Sequence, residues 1–329
     1  MFMQKEGKKR EGPVLAFAAL LLLALFAVSL FIGKFPLSLS AILSGNELQR
    51  KVLVSLRLSR TAVAVIGGTA MGAAGFAYQT VFRNPLASPD VAGVSSGAGA
   101  GAAAGILLFR SASAVAASAF AGAILAVVAV LGISALDREG KNGTIVLAGI
   151  AVHSVAQTIL MCLKLAADPE KELASVEYWL MGGLGGVSYR AAVPGLILCL
   201  VGLSAMFALH RQTLLLSLDE GEAATLGVNV KQMRFAVLFA ATLSVSAVVS
   251  ITGIVSFVGL IAPHGARLLL KNNSRGVMVL SGVFGAVLLT AADILARSAA
   301  ETELPVSIFT SLIGAPVLVA LALRKERGI

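Results

Sequence analysis

The chain has 329 residues, 57% of them hydrophobic and only 13% charged, with a formal net charge of +9. Soluble domains carry about a quarter charged residues, so this composition cannot cover a water-facing surface and excludes an ordinary soluble enzyme or carrier. Nor does the positive balance call for nucleic acid, because Lys and Arg gather in the cytoplasmic loops of membrane proteins.

Apolar runs of roughly 17–25 residues are expected to be membrane helices, and ten can be placed. Lys5, Lys8, Lys9 and Arg10 precede the first, about 14–32. Ala27-Val28-Ser29 also reads as a signal-peptide cleavage site. The run is long for a signal core, however, and its removal would leave an odd number of spans. A polar segment with Lys34, Glu47, Arg50, Lys51, Arg57 and Arg60 follows, then a second span at about 61–82. Arg83-Asn84-Pro85-Leu86-Ala87-Ser88-Pro89-Asp90 is a loop pinned by two prolines. The third span, 91–108, carries Gly93, Gly97, Gly101 and Gly105, a smooth ridge against which a neighbouring helix can pack closely.

The fourth span covers about 114–136. Gly140-Lys141 after it is no phosphate-binding loop, since Asn142 stands where Ser or Thr is required. In the fifth span, 144–167, His153, Gln157 and Lys164 share one face. A polar stripe within a membrane helix faces a neighbour or a water-filled path. Asp168 to Tyr189 contains a short interfacial helix with Tyr178 and Trp179 at headgroup level. The sixth span is about 191–209.

The stretch 217–234 is the longest charged interruption in the second half. Asp219, Glu220 and Glu222 open it, Lys231 and Arg234 close it, and Gly221 and Gly227 leave room for close approach. Acids early and bases late suit a short helix capped by Asp219, either a handle for a soluble partner or an ordinary solvated loop. The seventh span is about 235–251. The eighth, 254–270, is expected to be broken at Pro263, with His264 and Arg267 beyond it. The ninth, 276–296, holds Asp293, and the tenth is about 306–323. Ten spans put both termini on one side, and most Lys and Arg then fall in the cytoplasm. The two cysteines, Cys162 and Cys199, lie in apolar runs and make no metal or disulfide pattern.

Several separated motifs, in order, resemble the FecCD-type permeases, the membrane subunits of ATP-driven importers for iron-siderophores, cobalamin and haem. They are Arg83-Asn84-Pro85-Leu86-Ala87 with Pro89, Gly259-Leu260-Ile261-Ala262-Pro263-His264-Gly265-Ala266-Arg267, Trp179 with Gly182, and Glu303-Leu304-Pro305 with Gly314 and Pro316. The chain departs from the family pattern at Ser59, often proline there, at Ser307, usually glycine, and at Leu318, commonly Phe.

The resemblance implies an all-α, ten-helix permease, a single domain over 1–329 in the bacterial inner membrane, paired as a homodimer around a central path. It implies two ATPase subunits below, holding ATP and Mg²⁺, and a soluble or lipid-anchored binding protein above. No cofactor is expected in the chain itself. Asp219, Glu220, Gly221, Ala224, Leu226 and Gly227 would couple to the ATPase. Asn84, Leu86, Asn142, Gly143 and Thr144 would gate the cytoplasmic end. His153, Gln157, Ser307 and Ser311 would line the path, and Arg57, Arg60 and Arg297 would meet acidic residues of the binding protein, the alternative being interfacial arginines that reach headgroups or pair with Glu301 and Glu303. A secondary transporter would need acids at the bilayer midplane, and Asp293, the only acid in a span, lies near an end. A membrane enzyme would need paired acids or a nucleophile arrangement, and the spans carry neither.

Overall fold

The computed structural model describes residues 2–109, 111–136, 142–187, 189–218, 220–227 and 229–326. Among them the regular structure is entirely helical. Without water in the bilayer core, a chain this apolar satisfies its backbone within its own segments, and helices do so.

α1 (Phe2–Phe31) leads through two short helices, α2 (Leu39–Leu43) and α3 (Glu47–Lys51), to a π-helical segment, Val52–Leu58, that runs directly into α4 (Ser59–Val81). After a 3₁₀ turn at Pro89–Ala92 come α5 (Val94–Phe109), α6 (Ala112–Ala135), α7 (Asn142–Ala166), the short α8 (Glu172–Met181) and α9 (Tyr189–Ala208). Two more short helices, α10 (His210–Leu215) and α11 (Glu220–Thr225), precede α12 (Val230–Thr252), α13 (Val258–Leu270), α14 (Arg275–Ser298) and α15 (Val306–Glu326). Six helical segments among the described residues are long and apolar enough to cross a membrane: 11–31, 47–81, α6, 143–166, α12 and α14. Shorter apolar helices cover 94–109, 192–208, 258–270 and 306–320.

α4 is the centre of the bundle, with most of its residues buried. Small residues let α14 lie against it: a Cβ on Gly72 would fall 2.0 Å from the Ser281 carbonyl oxygen, so only glycine fits. The ridge on α5 does the same for α6, where a Cβ on Gly101 would lie 2.2 Å from the Ser118 carbonyl. Membrane helices gain no hydrophobic drive from meeting each other, so close backbone packing is what holds them together.

Pro263 does not break its helix. α13 continues through it, although proline removes the bond that would reach the Gly259 carbonyl. That carbonyl packs against Gly75 of α4 instead, where a Cβ would come within 1.7 Å. The interruption falls earlier, at 253–257, where Gly253 (φ 70°) and Phe257 (φ 67°) both take positive φ. Neighbouring helices support such a proline, so the sharper conformational break moves to the glycine.

Candidate functional site

At one end of the bundle, α4 finishes in a compact turn. Arg83 N–H donates to the Thr80 carbonyl at 3.3 Å and Asn84 N–H to the Gln79 carbonyl at 3.1 Å. The Asn84 side chain then accepts from the Leu86 N–H at 3.0 Å, and Ala87 N–H closes on the Asn84 carbonyl at 3.1 Å. Asn84 and Pro85 therefore build the loop, and Leu86, 48% exposed, is the apolar side chain it presents. The Arg83 guanidinium donates to the Leu218 carbonyl, which brings the 217–227 stretch to the same end.

That stretch holds α11, six residues long, and ends at Gly227 with φ 78°. Among the described residues no atom lies within 4 Å of a Cβ built on Gly221 or Gly227, so both sit against open space there. Leu226 is exposed. Asp219 lies outside the described residues, as do the side chains of Glu220, Ala224 and Asn142. Gly143 is exposed and open, and Thr144 is half-buried in the first turn of α7.

A cavity of about 250 Å³ lies between the middle of α4, the Ser88–Asp90 turn and the start of α13, lined by Met71, Ser88, Asp90, Ser95, Phe257 and Leu260 among others. The unwound 253–257 segment forms part of its wall. On α7, His153 is exposed and interacts electrostatically with Asp90, while Gln157 is half-buried. Lys164 pairs with Glu177 of α8 at 2.8 Å instead of extending toward a headgroup.

Ser307 and Ser311 are both half-buried on α15. The Ser307 hydroxyl donates to the Ile254 carbonyl at 2.7 Å, so it pins the unwound segment. Hydropathy alone gives no sign of this contact. Phe257 fills the space beside Gly314, where a Cβ would meet its ring at 2.4 Å. A larger cavity of about 870 Å³ lies toward the opposite end, bordered by Ile106, Val115, Lys171, Tyr178, Trp179 and Thr252.

The opposite end also carries the three expected docking arginines, and they are not free surface charges. Arg60 donates through Nε to Asp293 at 2.7 Å and through one terminal nitrogen to both oxygens of Glu303 at 3.0 and 2.9 Å. Arg297, 1% exposed, lies 3.4 Å from the other Asp293 oxygen and donates to the Ser29 hydroxyl, which meets Thr61 at 2.8 Å. Arg57 caps the Ile32 carbonyl at 2.7 Å, its guanidinium filling the space where a Cβ on Gly33 would stand. The physical reason is that a guanidinium taken out of water needs a carboxylate or carbonyl partner, and the fold supplies one. Glu303 is thus the partner that the alternative reading of these arginines offers, whereas Asp293 is the residue that the sequence leaves without a role here.

A bundle of helices built on long apolar segments, with Arg60, Arg297, Asp293 and Glu303 paired inside it, is a polytopic membrane protein. More narrowly, the chain belongs to the FecCD transport family, whose profile matches residues 21–324. It is 35% identical over 281 residues to the cobalamin import system permease protein BtuC of Halobacterium salinarum, covering 85% of this chain and 75% of that one. The molybdate import system permease protein MolB of Haemophilus influenzae is 31% identical over 327 residues, 96% of this chain and 97% of its own. The Fe(3+)-citrate import system permease protein YfmE of Bacillus subtilis is 32% identical over 330 residues, 97% and 98%. A solved structure described as an inward-facing, metal-chelate type ABC transporter superposes with a TM-score of 0.85 at 30% identity, covering 95% of this chain and 99% of that one.

Proposed function

We propose that this chain is the membrane permease subunit of an ATP-driven, binding-protein-dependent importer, and that its cargo is a ferric-siderophore or similar metal chelate. The observation that carries the reading is the family match over residues 21–324. The relatives' cargoes, cobalamin, molybdate and ferric citrate by name, favour a bulky or anionic metal species and bring in molybdate beside the cobalamin and haem alternatives.

In this reading ten helices span a bacterial inner membrane, the four shorter apolar ones completing the six long ones, with both termini cytoplasmic. Two copies enclose the path, two ATPase subunits bind below, and a binding protein docks above. The chain is one permease domain that binds no cofactor; Mg²⁺ and ATP belong to the ATPase. A polar chelate cannot dissolve in lipid, so the path must open to one side at a time. ATP shifts that equilibrium only through a contact that differs between the two states. The 217–227 stretch supplies the contact, with Asp219, Glu220, Gly221, Ala224, Leu226 and Gly227 on the ATPase; the open space around Gly221 and Gly227 supports this.

Asn84, Leu86, Asn142, Gly143 and Thr144 form the cytoplasmic gate, and His153, Gln157 and Ser311 face the path, with Ser307 holding its wall. Docking of the binding protein falls on the end bearing Arg57, with Arg60 and Arg297 as the charge layer beneath. Affinity-tagged chain expressed with its neighbouring ATPase should retain that ATPase through solubilisation. Clean loss of the ATPase, with the permease still folded, would overturn the reading.

A further inference from the structure

Arg83 occupies a position that chemistry reserves for another residue. The two hydrogen bonds that finish α4, Asn84 N–H to Gln79 and Arg83 N–H to Thr80, make the helix-ending motif whose last residue is left-handed. Arg83 has φ 50°, in the region where glycine is the ordinary choice and a side chain is strained. Its guanidinium leaves the turn and donates to the carbonyl of Leu218, immediately before the 220–225 helix. That carbonyl lies just past α10, in a tight turn where Leu218 N–H donates to Leu215 at 3.1 Å.

On the other side, the turn is clamped to the bundle. Arg267 of α13 donates to the side chains of both Gln79 and Thr80, to the latter at 3.1 Å, and lies 5.1 Å over the Phe76 ring. The Gln79 amide in turn donates to the Leu260 carbonyl at 3.1 Å. The base of the loop is thus fixed, and the Arg83 side chain ties its root to the coupling stretch.

We propose that Arg83 is the positioning residue that transmits movement of the 217–227 stretch to the 83–87 loop. The inference rests on the coupling and gate roles proposed above. When the coupling stretch moves with its ATPase, the Leu218 carbonyl pulls on the guanidinium. The fixed Gln79–Arg267 clamp makes the loop turn about its root, and Leu86 is carried with it. The moving part is small: Leu86 is exposed, and its N–H is held by the loop's own Asn84.

The substitution Arg83→Gly separates this role from a structural one. Glycine suits the left-handed turn better than arginine, so the variant should fold with equal or higher thermal stability while losing the link. The readout is the reactivity of Leu86→Cys toward an impermeant maleimide, in the complex with the ATPase in inside-out vesicles, with Cys162 and Cys199 replaced by Ala. With Arg83 present, labelling with and without ATP plus vanadate should differ about tenfold, a usual size for coupled sites, and Arg83→Gly should bring the ratio to within about twofold of one. Equal nucleotide dependence in both chains overturns the link and leaves the coupling reading intact. A parent chain whose labelling ignores nucleotide overturns the coupling reading, and the link with it.

Discussion

Arg60 of α4 and Asp293 of α14 stand 233 residues apart in the chain and share a 2.7 Å hydrogen bond between Nε and Oδ1, with Asp293 wholly buried. The bond joins the two helices that the glycine contacts bring together, at the end where α1 and the start of α15 also meet them. Removing one partner of a buried pair leaves an uncompensated charge, at a cost of about 3–5 kcal/mol. Asp293→Ala should therefore lower the thermal stability of detergent-solubilised protein sharply, because Arg297 loses its acid and Arg60 keeps only the partly exposed Glu303. Glu303→Gln should cost much less, since the Glu303 side chain is about one-third exposed, at 34%. Equal melting temperatures for Asp293→Ala and the parent would show that the cluster holds nothing.

Glycine substitutions should divide by what a methyl group meets. Gly72→Ala drives a Cβ into the Ser281 carbonyl and should reduce the yield of monodisperse protein. Gly132→Ala, on an exposed part of α6 with nothing within 4 Å, should fold normally and gain about 0.5–1 kcal/mol of helix stability. Size-exclusion profiles and melting curves check both, and similar behaviour of the pair would contradict the packing account.

The coupling role proposed for the 217–227 stretch predicts that bulk there blocks docking without unfolding the chain. Gly221→Trp is the clean probe, because Gly221 sits in open space with no positive φ to violate. Gly227→Trp should uncouple as well, but it adds backbone strain at φ 78°. The expected outcome is normal insertion with loss of substrate-stimulated ATP hydrolysis. Wild-type stimulation in Gly221→Trp would remove the stretch from the ATPase interface.

Asn84→Ala takes away the acceptor that holds the Leu86 N–H at 3.0 Å. An intramolecular hydrogen bond of this kind is worth about 0.5–1.5 kcal/mol, enough to loosen a loop without unfolding the bundle. Proteoliposomes carrying Asn84→Ala or Leu86→Ala should leak a small dye faster than the parent, and unchanged leak rates would make the loop a simple turn.

The apolar runs made the helices legible in the sequence, and the glycine ridge on the third span correctly announced the α5–α6 contact. Charge misled the reading at 47–60. Arg50, Lys51, Arg57 and Arg60 look like a solvated loop, yet helix extends from Glu47 to Val81 because Arg57 and Arg60 turn inward to carbonyls and carboxylates. No local window can reveal a partner 233 residues away. Pro263 misled for the converse reason. Its local effect is disruptive, but packing of the Gly259 carbonyl on Gly75 lets α13 continue, and the break passes to Gly253 and Phe257. Of the candidate site, the Asn84 loop was visible as a turn, whereas Ser307 pinning Ile254 and Arg83 reaching Leu218 depend on tertiary contacts alone.

In the proposed function, transport through this chain is driven by ATP in a partner subunit. The most direct test is uptake of a radiolabelled ferric hydroxamate by proteoliposomes holding this chain, its ATPase and the loaded binding protein. Uptake should require all three proteins and ATP, and should stop when the ATPase is inactivated. Uptake that proceeds without ATP and follows an imposed proton or sodium gradient would contradict the account and make the chain an ion-coupled transporter.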